Sequence, residues 1–268
     1  MEDLYGLFKK SPELKVYYFI GRLNPPHPGH IETLIQMIQY ANADNSVPLI
    51  ILGSGPKRER TMDNPIPFET KEAFLRYILP RGLKYEIRQM TTGLADVELW
   101  YQSILSHIKQ PSCVEFIRFA GDKGDNATKL SYMDTHLGKL PKCSARTFPI
   151  PPVMANASTE LSATAVRKFA YKSHLDELNK GKNGFAAFEA KYGGFYKEFT
   201  RNIYSDILFP VLEASPKDIE TYLSTSKMPS KSKTKKNASK RSKSKGRKSK
   251  ANRANGGKAN GGSSSNSE

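Results

Sequence analysis

Short apolar runs alternate along the chain with longer segments whose apolar residues recur every three to four positions. The short runs predict buried strands, and the periodic segments predict amphipathic helices. The predicted strands are Lys15–Ile20, Val47–Leu52, Lys84–Gln89, Val114–Ala120 and Arg146–Ile150. The predicted helices are Gly29–Tyr40, Phe68–Leu79, Leu99–Ile108, one that begins at Ala163 and a stretch from Gly184 to Leu208. Because this alternation is typical of a parallel sheet with crossover helices, we expect an α/β, Rossmann-like fold.

Composition divides the chain into four parts. We expect an N-terminal extension over residues 1–14, an α/β domain over 15–183, a helical cap over 184–226 and a tail over 227–268. The tail consists mainly of Lys, Ser, Arg, Asn and Gly, with too few apolar residues to offset the entropy of ordering it. We therefore expect the tail to be disordered.

Most of the net charge of +16 lies in this tail. Lys227–Glu268 holds 14 lysine and arginine residues and one acidic residue, so residues 1–226 are close to neutral. A neutral domain with a basic tail differs from a uniformly basic nucleic-acid-binding domain. Two interpretations stay open: a solubilising or localisation segment, which would be compatible with a nuclear location, and non-specific contact with nucleic acid.

The cysteine content and the apolar runs indicate the compartment. Cys113 and Cys143 are the two cysteines, and they form no CxxC pair, which is typical of a reducing environment. The first ten residues, MEDLYGLFKK, lack the apolar run of a secretory signal, and no stretch reaches the roughly 18 apolar residues of a membrane span. We expect a soluble, intracellular, cytoplasmic protein without membrane contact. The oligomeric state stays open, with a homo-oligomer as one option.

The segment GRLNPPHPGH, from Gly21 to His30, joins the first predicted strand to the first predicted helix. A helix that opens at this point exposes unpaired backbone N–H groups, which attract phosphate. His27 and His30 are three residues apart, so both imidazoles project from one face and can donate to polyphosphate oxygens. Arg22 adds a guanidinium. Two alternatives remain at this point: histidines that only cap or pack the helix, and a zinc site, for which no third ligand is evident.

This loop resembles the GxxNPxHxGH signature of the HxGH adenylyl- and cytidylyltransferases. Their second signature, ISSTxxR, is similar to LSATAVR, which runs from Leu161 to Arg167. The resemblance implies a Rossmann-like nucleotidyltransferase fold in which Ser162, Thr164 and Arg167 hold the β- and γ-phosphates of ATP opposite the histidines. Ala163 departs from the signature and removes one hydroxyl.

Two further stretches resemble the nicotinamide mononucleotide adenylyltransferases. They are GSGPKRERTMDNPIPFETKEAFL, from Gly53, and FAGDKGDNATKLSYM, from Phe119. The resemblance assigns His27, His30 and Arg167 to catalysis. The residues it assigns to ATP are Gly21, Arg22, Asn24, Gly29, Gly121, Asp122, Lys123, Asp125, Ser162 and Thr164, and those it assigns to the acceptor are Gly53, Ser54, Asn64 and Trp100. Trp100 has a second interpretation as an ordinary core residue.

The reaction implied by the resemblance is direct attack of the acceptor phosphate on the α-phosphorus of ATP, with pyrophosphate leaving. Nicotinamide mononucleotide is the expected acceptor, and Mg²⁺ would arrive with ATP rather than on protein ligands. Phosphopantetheine, riboflavin phosphate (FMN) and a CTP-dependent substrate are the alternatives within the enzyme class. An inactive protein that binds nucleotides or nucleic acid on the same fold is the alternative outside it.

Overall fold

The computed structural model describes residues 13–53, 60–108, 111–121, 130–150 and 162–225. Its strands are β1 (Glu13–Gly21), β2 (Leu49–Leu52), β3 (Glu86–Gln89), β4 (Cys113–Gly121) and β5 (Cys143–Ile150). Its helices are α1 (Pro28–Ala43), α2 (Phe68–Ile78), α3 (Leu94–Leu105), α4 (Ser131–Leu137), α5 (Ala163–Lys180), α6 (Gly184–Tyr196), α7 (Thr200–Leu208) and α8 (Pro216–Thr225). Short 3₁₀ turns at Lys197–Phe199 and Phe209–Val211 flank α7.

The five strands form one parallel sheet in the order β3-β2-β1-β4-β5. Tyr18 of β1 lies between Leu49 of β2 and Arg118 of β4, so β1 is the central strand of the sheet. The expected α/β, Rossmann-like fold with helices flanking a parallel sheet is confirmed. From β1 the chain adds β2 and β3 on one side of the sheet and then crosses over to add β4 and β5 on the other side, so the strand order switches between β1 and β4. In open α/β sheets, the loops that follow the strands at such a switch point form the ligand-binding crevice.

Side chains of β1 alternate between two hydrophobic clusters because successive residues of a strand point to opposite faces. Tyr17 and Phe19 belong to a first cluster, which α1, α2 and the helices from α5 to α8 complete. Val16 and Tyr18 belong to a second cluster, which α3 and α4 complete. The sheet is therefore covered on both faces, as parallel sheets require.

The structure differs from the predicted elements mainly in the helices. Helices α4 and α8 were not predicted, and α3 begins at Leu94, five residues before the predicted start. The predicted stretch from Gly184 to Leu208 is two helices, because the chain turns at Lys197, whose φ of 51° is incompatible with a continuous right-handed helix. In the part of the chain that the structure describes, no helix combines the length and apolar character needed to cross a bilayer.

The predicted domain boundaries stay predictions. Residues 1–12 and 227–268 lie outside the described residues, and β1 begins at Glu13, two residues before its predicted start. Helices α6 and α7 share the first cluster with α1 and α2 through Phe188 and Ile203. The region expected to be a helical cap thus packs into the same core as the sheet.

Candidate functional site

The loop after β1 leaves the strand under tight steric constraint. A Cβ atom at Gly21 would lie 2.6 Å from the ring of Phe19 and 2.7 Å from Leu23, so only glycine fits at this exit. The carbonyl of Gly21 accepts from the N–H of Gly53 at 2.9 Å, which joins the ends of β1 and β2. Leu23 has a φ of 47°, a left-handed conformation that is costly for a bulky residue and that is concentrated at functional sites.

Asn24 ties this loop to the loop before α2. Its side-chain amide donates to the Asn64 side-chain oxygen, and its own oxygen accepts from the N–H of Ile66 at 2.8 Å. Asn24 and Asn64 are both buried. The two residues expected to contact different substrates are brought together, and the Asn24 side chain holds the two loops in register.

His27 and His30 stand side by side at the start of α1. Their ring centroids are 3.7 Å apart, and His27 occupies the cap position without a side-chain capping bond, followed by Pro28. Among the described residues, neither Nδ1 atom has a hydrogen-bond partner although both are buried. Buried polar groups in native proteins normally have a partner. A ligand with hydrogen-bonding groups could supply the partner that each of these nitrogens lacks among the described residues.

Burial sets the protonation of these histidines. It lowers the pKa of His27 to about 4. Burial, followed by the charge of His27, lowers the pKa of His30 well below its ordinary value. Both imidazoles are therefore neutral at pH 7, and each carries one N–H donor and one acceptor.

Arg167 brings the second motif against the first. It is the fifth residue of α5, and its Nη1 donates to the carbonyl of Asn24, 143 residues earlier. Its Nη2 donates to Asp63 at 3.2 Å and to the Thr164 hydroxyl at 3.3 Å. The Nε atom is buried and has no partner in the described part of the chain. Ser162 caps this helix by accepting from the N–H of Ala165 at 3.2 Å.

Lys71 is a member of this site that sequence reasoning missed. It lies on α2 with no exposed surface, and its Nζ donates to the carbonyls of Arg22, at 3.1 Å, and Gly53, at 3.0 Å. Burial lowers its pKa to about 8; Glu69 opposes this change and Arg22 adds to it. The one signal in the sequence is a lysine on the apolar face of an amphipathic helix, between Phe68 and Phe74–Leu75.

Three tyrosines from the C-terminal helices also support the site loops and were not predicted. Tyr196 donates to the carbonyl of Pro26 at 2.7 Å, Tyr171 to that of Met62 at 2.9 Å, and Tyr222 to the Asp63 carboxylate at 2.6 Å. Because Asp63 also accepts from Arg167, the loop before α2 is held from both α5 and α8. A sequence gives no local signal for contacts of such long range.

Other expected site residues are spread more widely. Arg22 is exposed beside the site, Gly29 lies in the first turn of α1, and Gly121 ends β4. Ser54, Asp122, Lys123 and Asp125 lie outside the described residues.

Trp100 is placed away from these loops. It is 1% exposed in the second cluster, with Arg88 stacked 4.9 Å from its ring. The structure thus favours the core interpretation of Trp100 and corrects the expected contact with the acceptor, because a closed indole face cannot stack on a ligand.

A metal site at the histidines would need further protein ligands nearby. Within the described ranges, no group of three or more His, Cys, Asp and Glu side chains is arranged to hold a metal ion. The zinc interpretation of the HxxH spacing therefore has no third ligand there, as a structural zinc site would need.

Comparisons with known proteins add little to this geometry. Neither a protein-family profile nor a curated protein matches the sequence. Among solved structures, the chain is similar to a macrolide-efflux protein from Streptococcus pneumoniae, with 14% identity and a TM-score of 0.37 over 62% of this chain. The match covers 54% of that protein's chain, so this chain spans about half its length. A likeness this low identifies neither fold nor activity.

Proposed function

We propose that this protein is a nucleotidyltransferase that transfers the adenylyl group of ATP to a phosphate-bearing acceptor. The observation that carries the proposal is the hydrogen bond from Arg167 to the carbonyl of Asn24. This bond sets a guanidinium of the second motif against the loop that bears the paired imidazoles of His27 and His30. Among the described residues, the buried Nδ1 atoms of both histidines have no hydrogen-bond partner, which supports a ligand-binding role.

In the proposed reaction, an oxygen of the acceptor phosphate attacks the α-phosphorus of ATP. A new P–O bond forms, the bond to the bridging oxygen breaks, and pyrophosphate leaves with the electron pair. No protein nucleophile takes part, so the residues act through position and charge. His27 and His30 donate N–H bonds to phosphate oxygens, and the opening turn of α1 adds backbone N–H groups. Arg167 would bind the leaving phosphates from α5, and Mg²⁺ arriving with ATP would supply charge neutralisation there.

The acceptor we propose is nicotinamide mononucleotide. Support for it comes from the resemblance of the stretches beginning at Gly53 and Phe119, with Gly53, Ser54 and Asn64 at the acceptor side. Gly53 donates to the carbonyl of Gly21, and the Asn64 side chain accepts from Asn24, so both residues lie beside the loop after β1. Trp100 is left out of the proposed acceptor site because its indole is buried in the second cluster. Phosphopantetheine and FMN are the alternative acceptors.

The test is an assay of the purified 268-residue chain with MgATP and each acceptor in turn. We expect pyrophosphate release and formation of NAD with nicotinamide mononucleotide. His30→Ala removes one donor to the transition state, which is worth about 3–4 kcal/mol, so the rate should fall by a factor on the order of several hundred. His107→Ala is the matched control because this exposed histidine follows α3, away from the motif loops.

The outcomes separate the levels of the proposal. Pyrophosphate release with another acceptor would retain the nucleotidyltransferase and reject nicotinamide mononucleotide. ATP binding without release of pyrophosphate in the presence of any acceptor would indicate an inactive nucleotide-binding protein. Equal activity of His30→Ala and His107→Ala would remove the histidine pair from the mechanism.

A further inference from the structure

Lys71 occupies a position that costs the fold free energy. Its side chain is fully buried, and a buried ammonium loses the hydration that stabilises it in water. Among the described residues, no carboxylate forms an ion pair with its Nζ, and the two partners of Nζ are neutral carbonyls. A Leu or Met at this position of α2 would bury its side chain without that cost.

The two carbonyls place Lys71 at the junction of the proposed ATP site. Arg22 belongs to the loop that carries His27 and His30, and Gly53 opens the loop after β2. The Gly53 N–H already bonds to Gly21, so Lys71 closes a second link between the same two loops. Its charge lies at the carboxyl edge of β1 and β2, beside the exposed guanidinium of Arg22.

We propose that Lys71 is a positioning residue for the triphosphate: its Nζ fixes the separation of the two loops, and its charge is compensated by the bound anion. This inference rests on the proposed function and adds a residue to it. A neutral side chain could fill the same volume but would neither hold both carbonyls nor favour an anion. The buried cation is therefore explained by what enters the site.

A purely structural role predicts different behaviour. If Lys71 only ties the loops, its loss would weaken the binding of any ligand there at every pH. If its charge faces the triphosphate, ATP affinity in the wild type must fall as this amine loses its proton above about pH 8. The other charged groups that face this amine are Glu69, on the same helix, and Arg22, on the loop.

The experiment measures MgATP affinity by calorimetry at pH 7.5 and pH 9.0, where ATP keeps the same charge. For wild type we expect the affinity to fall about fivefold between the two pH values. Lys71→Met should bind MgATP at least about tenfold more weakly at pH 7.5 and should show no change with pH. Lys139→Met is the control, because this exposed lysine precedes β5 at the opposite edge of the sheet.

The arms distinguish the inference from the function on which it rests. Wild type that does not bind MgATP at all would reject the proposed function. The role of Lys71 would be rejected, and the proposed function kept, by either of two results. One is equal MgATP affinity of wild type at both pH values, and the other is the same pH dependence in Lys71→Met as in wild type. If Lys71→Met does not fold, proton uptake on MgATP binding to wild type at pH 8.5, measured in two buffers, decides: uptake supports the inference and its absence overturns it.

Discussion

At the scale of single residues, the site consists of polar groups that are buried before any ligand is present. His27, His30 and Arg167 each keep one buried nitrogen without a partner in the described part of the chain. Leaving such a group unsatisfied costs about 1–3 kcal/mol. This cost explains why the surrounding loops need so many tertiary hydrogen bonds, and it gives a ligand that supplies acceptors a gain in free energy.

The histidine pair should make stability depend on pH. Burial lowers the pKa of His27 to about 4 in the folded protein, whereas an unfolded histidine titrates near 6.5. Below pH 6.5 the unfolded chain binds more protons than the folded chain. The contribution of His27 to the free energy of unfolding is therefore complete above pH 6.5 and should fall as the pH drops toward 4. Between pH 6.5 and 5, wild type should lose about 1.5 kcal/mol more than His27→Asn in denaturant titrations. Equal losses in the two proteins would show that this imidazole is solvated.

Arg167 should not be replaceable by lysine. The guanidinium reaches Asn24, Asp63 and Thr164 at once, and a single ammonium cannot reproduce that planar fork. We expect Arg167→Lys to lower the rate of pyrophosphate release about 100-fold, or about 2.7 kcal/mol. Arg146→Lys is the control, because Arg146 is half-exposed on β5 and pairs with Glu115 at 2.7 Å. A loss shared by both variants would point to general destabilisation.

At the scale of elements, hydrogen bonds from the C-terminal helices hold the loops of the site. Tyr196→Phe keeps the aromatic ring of this α6 residue in the first cluster and removes only its hydrogen bond to the carbonyl of Pro26. We expect it to destabilise the protein by about 1–2 kcal/mol, because the carbonyl stays buried, and to weaken MgATP binding. Tyr192→Phe, on the same helix, is the control in thermal unfolding and calorimetry. A weakened affinity in both variants would exclude a specific effect on the Pro26 loop.

The elements also show how far sequence patterns reach. All five strands were predicted because β-branched and aromatic runs between turn residues mark buried strands locally. Helix α4 was missed because its seven residues give too short a periodic pattern. The two motifs, far apart in the sequence, are in contact through the hydrogen bond from Arg167 to Asn24. Lys71 and Tyr196 were not predicted because their roles depend on contacts between distant segments, and Trp100 showed that an aromatic residue gives no sign of whether a ligand can reach it.

At the scale of the whole molecule, the site loops are supported mainly from one face of the sheet. Helices α1, α2 and α5 share the first cluster with β1, and α6 to α8 complete it. The second cluster, with α3 and α4, supports the opposite face and holds Trp100. Substitutions in the first cluster should therefore affect stability and ligand binding together, because its helices carry the histidines, Lys71 and Arg167.

The basic segment 227–268 should be separable from turnover. The residues proposed to bind ATP and the acceptor lie between Gly21 and Arg167, whereas this segment carries 14 of the 42 lysine and arginine residues. Deleting it should leave pyrophosphate release within about twofold of the full chain and remove retention on a nucleic-acid column. Retention of the full chain should fall steeply with salt, because contacts to phosphate release counterions. A variant that replaces the same lysines and arginines with serine controls for length. Loss of turnover in either variant would contradict the separation, and retention by the shortened chain would place the nucleic-acid contact on the α/β domain.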